Sequence, residues 1–301
     1  MNTYRLPPET HIGNVHLRVS NLERSLHFYR ELLGFKEISR NSSTVELSAA
    51  GKSPAIILLT EHAGAQPKPP HTTGLYHVAI RFPNRRALAG VFWNLLNHRW
   101  QFQGFADHIV SEALYLADPD NNGIELYVDR PRTEWKWSGD QIAMGSLQLD
   151  VENLLAESPV GAEAHGTSSK WDGIDPGTDV GHVHLHVSNL GKAEKFYNGI
   201  LGMDVTQRTY PGALFLSAGG YHHHIGVNVW AGNGAPPPPD DAVGLISFSV
   251  EVPDRNTVEE IRARAVDTGI SPDSISESDH RLSFSLDDED KNRVIISSRK
   301  L

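Results

Sequence analysis

The chain contains no cysteine in its 301 residues. Disulfides, thiolate metal ligands and a cysteine nucleophile are therefore excluded. No stretch approaches the roughly 20 apolar residues that a membrane-spanning helix needs, and the opening MNTYRLPPETHIG has no apolar signal core. A soluble, cytoplasmic protein without a membrane partner is the expectation. Positive charge is also in short supply. Against 37 Asp and Glu there are 27 Lys and Arg, a formal charge of −10. That disfavours nucleic acid as a partner, because phosphate binding needs a basic face. Histidine, in contrast, is plentiful at 16. It is the commonest metal ligand, so the positions of these residues carry information.

The chain also repeats itself. Residues 15–35 read VHLRVSNLERSLHFYRELLGF, and residues 183–203 read VHLHVSNLGKAEKFYNGILGM. A repeat of this kind sets the architecture before any local reading does. Each copy opens with alternating apolar and polar residues, the period of a half-buried strand. Ser20-Asn21 or Ser188-Asn189 follows as a helix N-cap. Leu22, Leu26, Tyr29 and Leu33 then recur at helical spacing until Gly34, a C-cap, with Gly202 its counterpart. Strand-like runs come next, at 44–48 and 55–60 in the first copy and at 213–217 and 224–230 in the second.

Beyond a proline-rich connector in each half lies a second, more divergent unit. GLYHVAI at 74–80 matches GLISFSV at 244–250, each leading into a helix, near 86–98 and 256–268, and then into two strands around an acidic turn. The fold class is therefore α+β, four βαβββ modules paired as one with two and three with four. The domains are 9–130 and 179–301, joined by a connector at 131–178. That connector carries no strand pattern, a short helix near 150–157, and Trp135, Trp137 and Trp171 to pin it.

Three residues stand out for chemistry. His16 and His77 lie on the polar faces of the first strands of modules one and two, and Glu125 alternates with Ile124 and Leu126 in the last strand of module two. Two histidines and one carboxylate from separate strands suit a facial triad, the usual arrangement for non-haem Fe(II), with adjacent positions left open. Mn(II) and Zn(II) accept the same ligands.

The four-module pattern resembles the vicinal oxygen chelate superfamily, which includes glyoxalase I, bleomycin-resistance proteins and extradiol ring-cleaving dioxygenases. The resemblance covers the whole chain except the connector. It implies a cup closed by two modules around one metal, with His16, His77 and Glu125 as ligands. Residues 108–125, HIVSEALYLADPDNNGIE, are similar to the extradiol signature through His108, Leu114-Tyr115, Asp118-Pro119 and Glu125. The departures are Asn121, where the family has Gly or Pro, and Ala106. Either Asn121 or Asn122 can adopt the left-handed turn. The resemblance implies a catechol-like aromatic diol and O2 as reactants, and it is nearest to a bacillar catechol-2,3-dioxygenase type. His108 is then the acid–base, since imidazole titrates near neutrality. Tyr115 is a hydrogen-bond donor to a substrate oxygen.

The duplication serves as an internal control. His184 matches His16, but Ser247 matches His77, and Ile295 or Val294 falls where Glu125 stands. The C-terminal half thus lacks the triad and is expected to be structural, with an oligomer contact among its roles. A histidine-only site of His184 with His222 or His224 is the remaining option there. Two other functions fit the same fold. A glyoxalase-like isomerase or lyase would draw a fourth ligand from the last strand of module one, where Ala55-Ile56-Ile57-Leu58-Leu59 offers none before Glu61 or His62. A drug-binding protein would dispense with the triad.

Overall fold

The computed structural model describes residues 4–160, 171–278 and 281–299. Module one comprises β1 (His11–Val19), α1 (Leu22–Leu26), β2 (Lys36–Arg40), β3 (Thr44–Ser48) and β4 (Ile57–Glu61). Module two comprises β5 (Gly74–Phe82), α2 (Arg85–Asn97), β6 (Phe102–Asp107), β7 (Ser111–Ala117) and β8 (Gly123–Asp129). The connector adds a two-stranded ribbon, β9 (Trp137–Ser138) and β10 (Gln141–Ile142), and one helical turn, α3 (Val151–Leu155). Module three comprises β11 (Asp179–His186), α4 (Leu190–Glu194), β12 (Asp204–Gln207), β13 (Ala213–Ser217) and β14 (Ile225–Asn228). Module four comprises β15 (Gly244–Val252), α5 (Arg255–Asp267), β16 (Ser276–Ser278), β17 (Arg281–Asp287) and β18 (Arg293–Ser298).

The four module helices, α1, α2, α4 and α5, start in the same way. The side chains of Asn21, Asn84, Asn189 and Asp254 each accept a hydrogen bond from a backbone N–H in the first turn. This satisfies a donor that would otherwise have no intrahelical partner. In modules one and three the helix then widens to π geometry over His27–Leu32 and Lys195–Ile200.

The modules combine differently from the expected order. One eight-stranded sheet runs β16-β17-β18-β15-β1-β4-β3-β2, and the other β12-β13-β14-β11-β5-β8-β7-β6. Module one shares its sheet with module four, and module two with module three. Consecutive modules are tied instead on the helix side. Tyr29 Oη donates to Asp118 Oδ2 at 3.1 Å, and Tyr197 Oη to Asp288 Oδ2 at 2.9 Å. The backbone N–H groups of Ser20 and Ser188 reach Asp120 and Asp290 in the same turns. Alternation along a strand says which face is buried and nothing about which first strand lies alongside, so the two pairings look identical in sequence. Asn121 takes the left-handed turn at φ 64°, as does its counterpart Lys291.

Val15, Leu17 and Val19 of β1 and Val183, Leu185 and Val187 at the start of module three are fully buried in one continuous core. Burial of each such side chain contributes roughly 1.5–3 kcal/mol. The alternate residues of the same strands face the concave side of each sheet. Trp135 packs on Tyr221 and His222, and Trp171 lies against Gly34, so both pin the connector. Trp137 does not, being 41% exposed.

Candidate metal centre and cavity

The sheet of modules two and three carries the candidate site. β5 pairs antiparallel with β11, placing Ala79 opposite His182. On its other edge β5 pairs in parallel with β8, placing Ala79 beside Glu125. The small Ala79 methyl therefore lies between two potential ligands at the floor of the concave face. Glu125 Oε2 lies 3.1 Å from His182 Nε2 and 2.9 Å from His77 Nε2. These three residues are the one group of His and carboxylate side chains with ligand atoms within 4.8 Å of one another among the described residues.

The donor set fits a divalent cation. His77 Nε2 is buried and makes no hydrogen bond of proper geometry, although it approaches the carboxylate closely. Burial pushes the Glu125 pKa up, but His182 and His77 more than offset this and hold it well below the ordinary carboxylate range. Burial lowers His182 to about 4. At neutral pH the cluster is thus an ionised carboxylate beside a neutral His182 imidazole, the protonation states metal ligands require.

His77 and Glu125 therefore come together as the sequence suggested, and His16 does not join them. It lies on β1 in the other sheet, opposite Ser247, with Nε2 2.7 Å from Thr60 Oγ1. The physical reason is the sheet pairing: the first strand beside β5 is β11, not β1. His182, missed in the sequence, occupies that place. A signal for it existed. Counted back from the helix caps Asn84 and Asn189, His77 and His182 hold the same position, whereas His16 and His184 align with Ala79. The residues matching His77 in modules one and four are Asn14 and Ser247, so the other cup has no first-strand imidazole at the ligand position.

A cavity of about 200 Å³ opens above the cluster, and both His108 and Tyr115 line it. Tyr115 pairs directly across from Glu125 on β7. Its hydroxyl lies 2.7 Å from His108 Nε2, and His108 Nδ1 lies 2.6 Å from Gly145 O. A carbonyl only accepts, so His108 carries its proton on Nδ1 and accepts the Tyr115 O–H at Nε2. Burial and then the Glu125 charge push the Tyr115 pKa well above the phenol value. Met144, Gly145 and Ser146 of the connector close one side of the cavity.

Among the described residues, the remaining histidines do not gather into a second cluster. His184 Nε2 accepts from Asn228 Nδ2 at 3.0 Å. His224 Nδ1 accepts from the Ala218 N–H, and His222 Nε2 lies 2.9 Å from Asp129 Oδ1. His223 is different. It lines the cavity, has its ring centroid 4.0 Å from that of His182 at a tilt of 48°, and has its Nδ1 2.8 Å from His222 Nδ1. The fourth corner of the cup belongs to β14. There Gly226 is beside His184 in the register that places Glu125 beside Ala79. It offers no ligand.

A family model described as the Glyoxalase/Bleomycin resistance protein/Dioxygenase superfamily matches residues 11–126 and 179–296. The chain is 42% identical over 267 residues to a catechol-2,3-dioxygenase from Bacillus subtilis (strain 168), covering 87% of this chain and 90% of that protein. It is 27% identical over 114 residues to biphenyl-2,3-diol 1,2-dioxygenase 3 from Rhodococcus globerulus, covering 38% and 60%. Among solved structures, a Bacillus subtilis protein named provisionally as a dioxygenase superposes with a TM-score of 0.67 at 13% identity, over 98% of this chain and 86% of that one. Glyoxalase I from Zea mays superposes with 0.57 at 14% identity, over 96% and 92%. The structural likenesses bear on the fold alone, whereas the curated match spans nearly the full length of both chains. The chain belongs to the glyoxalase, bleomycin resistance protein and dioxygenase superfamily, and within it to the non-haem dioxygenases.

Proposed function

We propose that the protein is an Fe(II)-dependent extradiol dioxygenase that opens the ring of a catechol-like diol beside its two hydroxyls. The observation that carries this is the three-ligand cluster of His77, His182 and Glu125 with Gly226 at the fourth corner. A glyoxalase-type centre would place a fourth protein ligand there. An open corner leaves adjacent sites for two reactants. Bound iron supplies the redox centre and orients diol and O2. The same relatives support a small aromatic diol as the organic substrate.

The surrounding residues handle protons. Asp129, drawn below its ordinary pKa against the opposing effect of burial by the His222 hydrogen bond and by Arg81, is ionised and accepts. His222 therefore donates from Nε2 to Asp129 and accepts at Nδ1. His223 in turn donates from Nδ1, which leaves its Nε2 as an unprotonated base. Burial lowers the His223 pKa well below the imidazole value, which keeps the ring neutral but makes it a weak base, so it would take the proton only of a hydroxyl that the metal acidifies. In the resting site Gly145 and Tyr115 occupy both nitrogens of His108, and its Nε2 is released only when Tyr115 turns to the substrate. We therefore assign the base role to His223 and give His108 the task of orienting Tyr115. Rotation about the Tyr115 C–O bond moves its donor from His108 to a substrate oxygen.

The test is anaerobic loading with iron, addition of catechol, and admission of air. A yellow semialdehyde from ring opening is expected. Its absence at full iron occupancy with several substituted catechols sinks the reading.

A further inference from the structure

Resting on the ring-cleavage reading, the geometry points to a substrate class: uncharged catechols bearing a small apolar substituent on the ring edge away from the diol, with carboxylated catechols excluded. The cavity has two unlike ends. At the floor His77 and Glu125 are buried, which directs the diol inward. At the mouth stand Tyr76 and Trp230, 39% and 44% exposed, with ring centroids 5.4 Å apart and edge-on. Phe215 and Met144 continue the apolar wall, and Tyr210 adds its ring, with its hydroxyl 3.1 Å from Ser146 Oγ. Trp230 is fixed in place, its Nε1 donating to Pro211 O and its backbone N–H to Asn228 Oδ1.

No lysine or arginine lines this cavity among the described residues. Arg208, two residues before Tyr210, is paired with Glu194, and Lys68, ahead of β5, donates to Leu75 O and borders a different depression on the surface. A carboxylate on the outer ring edge would leave water for an aromatic wall with no cation to pair with, which is costly. An alkyl group or halogen there would gain apolar contact instead. Exclusion of the anion thus follows from an unpaired charge, the kind of discrimination that binding alone delivers well.

The experiment uses the full chain loaded with Fe(II) without oxygen. Calorimetry measures binding of catechol, 4-methylcatechol and 3,4-dihydroxybenzoate, and turnover in air follows. The 4-methyl compound is expected to bind at least as tightly as catechol, and the carboxylate roughly 100-fold more weakly. Met144→Arg is expected to narrow that gap about tenfold, and Trp230→Ala to remove the benefit of the methyl group. A carboxylate bound within about threefold of 4-methylcatechol overturns the proposal, as does failure to bind any of the three. Discriminating binding without turnover in air sinks the ring-cleavage reading alone.

Discussion

Gly226 stands in β14 where Glu125 stands in β8, and the His184 ring fills the space that a side chain there would need. A Cβ on Gly226 would lie 2.9 Å from His184 Cγ, closer than real Cβ atoms approach. Gly226→Ala must therefore displace His184 and break its bond with Asn228. We expect a loss of about 1–3 kcal/mol in stability, read by urea unfolding of the iron-free protein. Iron content should stay at the wild-type level, because neither Gly226 nor His184 is one of the three ligands. Unchanged stability would mean that the His184 ring gives way freely.

The ligand assignment separates two histidines that the repeat makes look alike. His182→Ala and His77→Ala should each abolish stoichiometric iron, measured by metal analysis after anaerobic loading. His16→Ala should retain it, since His16 bonds Thr60 in the other sheet. Iron lost on His16→Ala but kept on His182→Ala would reverse the assignment.

Much of the fold was legible because local rules agree with it. The caps at Asn21 and Asn189 and the strands at 44–48 and 213–217 stand where spacing placed them. His77 and Glu125 were legible for the same reason: alternation puts each on a polar strand face. The partner of β5 was not, since sheet pairing between repeats is a long-range choice that a repeated pattern cannot encode. The eye was drawn to His16 because its flanking residues repeat best, and those neighbours are conserved between copies by core packing. His182 is the residue that differs from its counterpart Asn14. His223 was hidden in a histidine run that reads as a strand, whereas it precedes β14 and turns into the cavity.

The proton roles predict a split between binding and rate. His223→Ala should keep iron and lower kcat by about 10²–10⁴, the usual contribution of a positioned base. Tyr115→Phe removes one hydrogen bond to charge developing on the substrate and should cost about 10–10³ in kcat. His222→Phe acts on His223 only through its Nδ1 partner, so kcat should fall with KM little changed. A kcat unaffected in His223→Ala, measured by semialdehyde formation, removes that residue from the mechanism.

His186 gives the iron-free protein an acid-sensitive step. Burial, assisted by Lys68 and His77 and opposed by the Asn228 hydrogen bond, lowers its pKa to about 4. In the unfolded chain an imidazole titrates near 6.5. Below that pH the unfolded state binds the proton and the folded state does not, so stability falls as pH drops from about 6.5 towards 4. His184, His223 and His224 are depressed by burial and act in the same direction, as does His182. His186→Gln retains a donor for Asn228 Oδ1 and cannot titrate. The melting temperature of this variant should therefore depend less steeply on pH across that window than the wild type, with the two curves parallel above pH 7. Parallel curves throughout would show that His186 is protonated in the folded state as readily as in the unfolded chain.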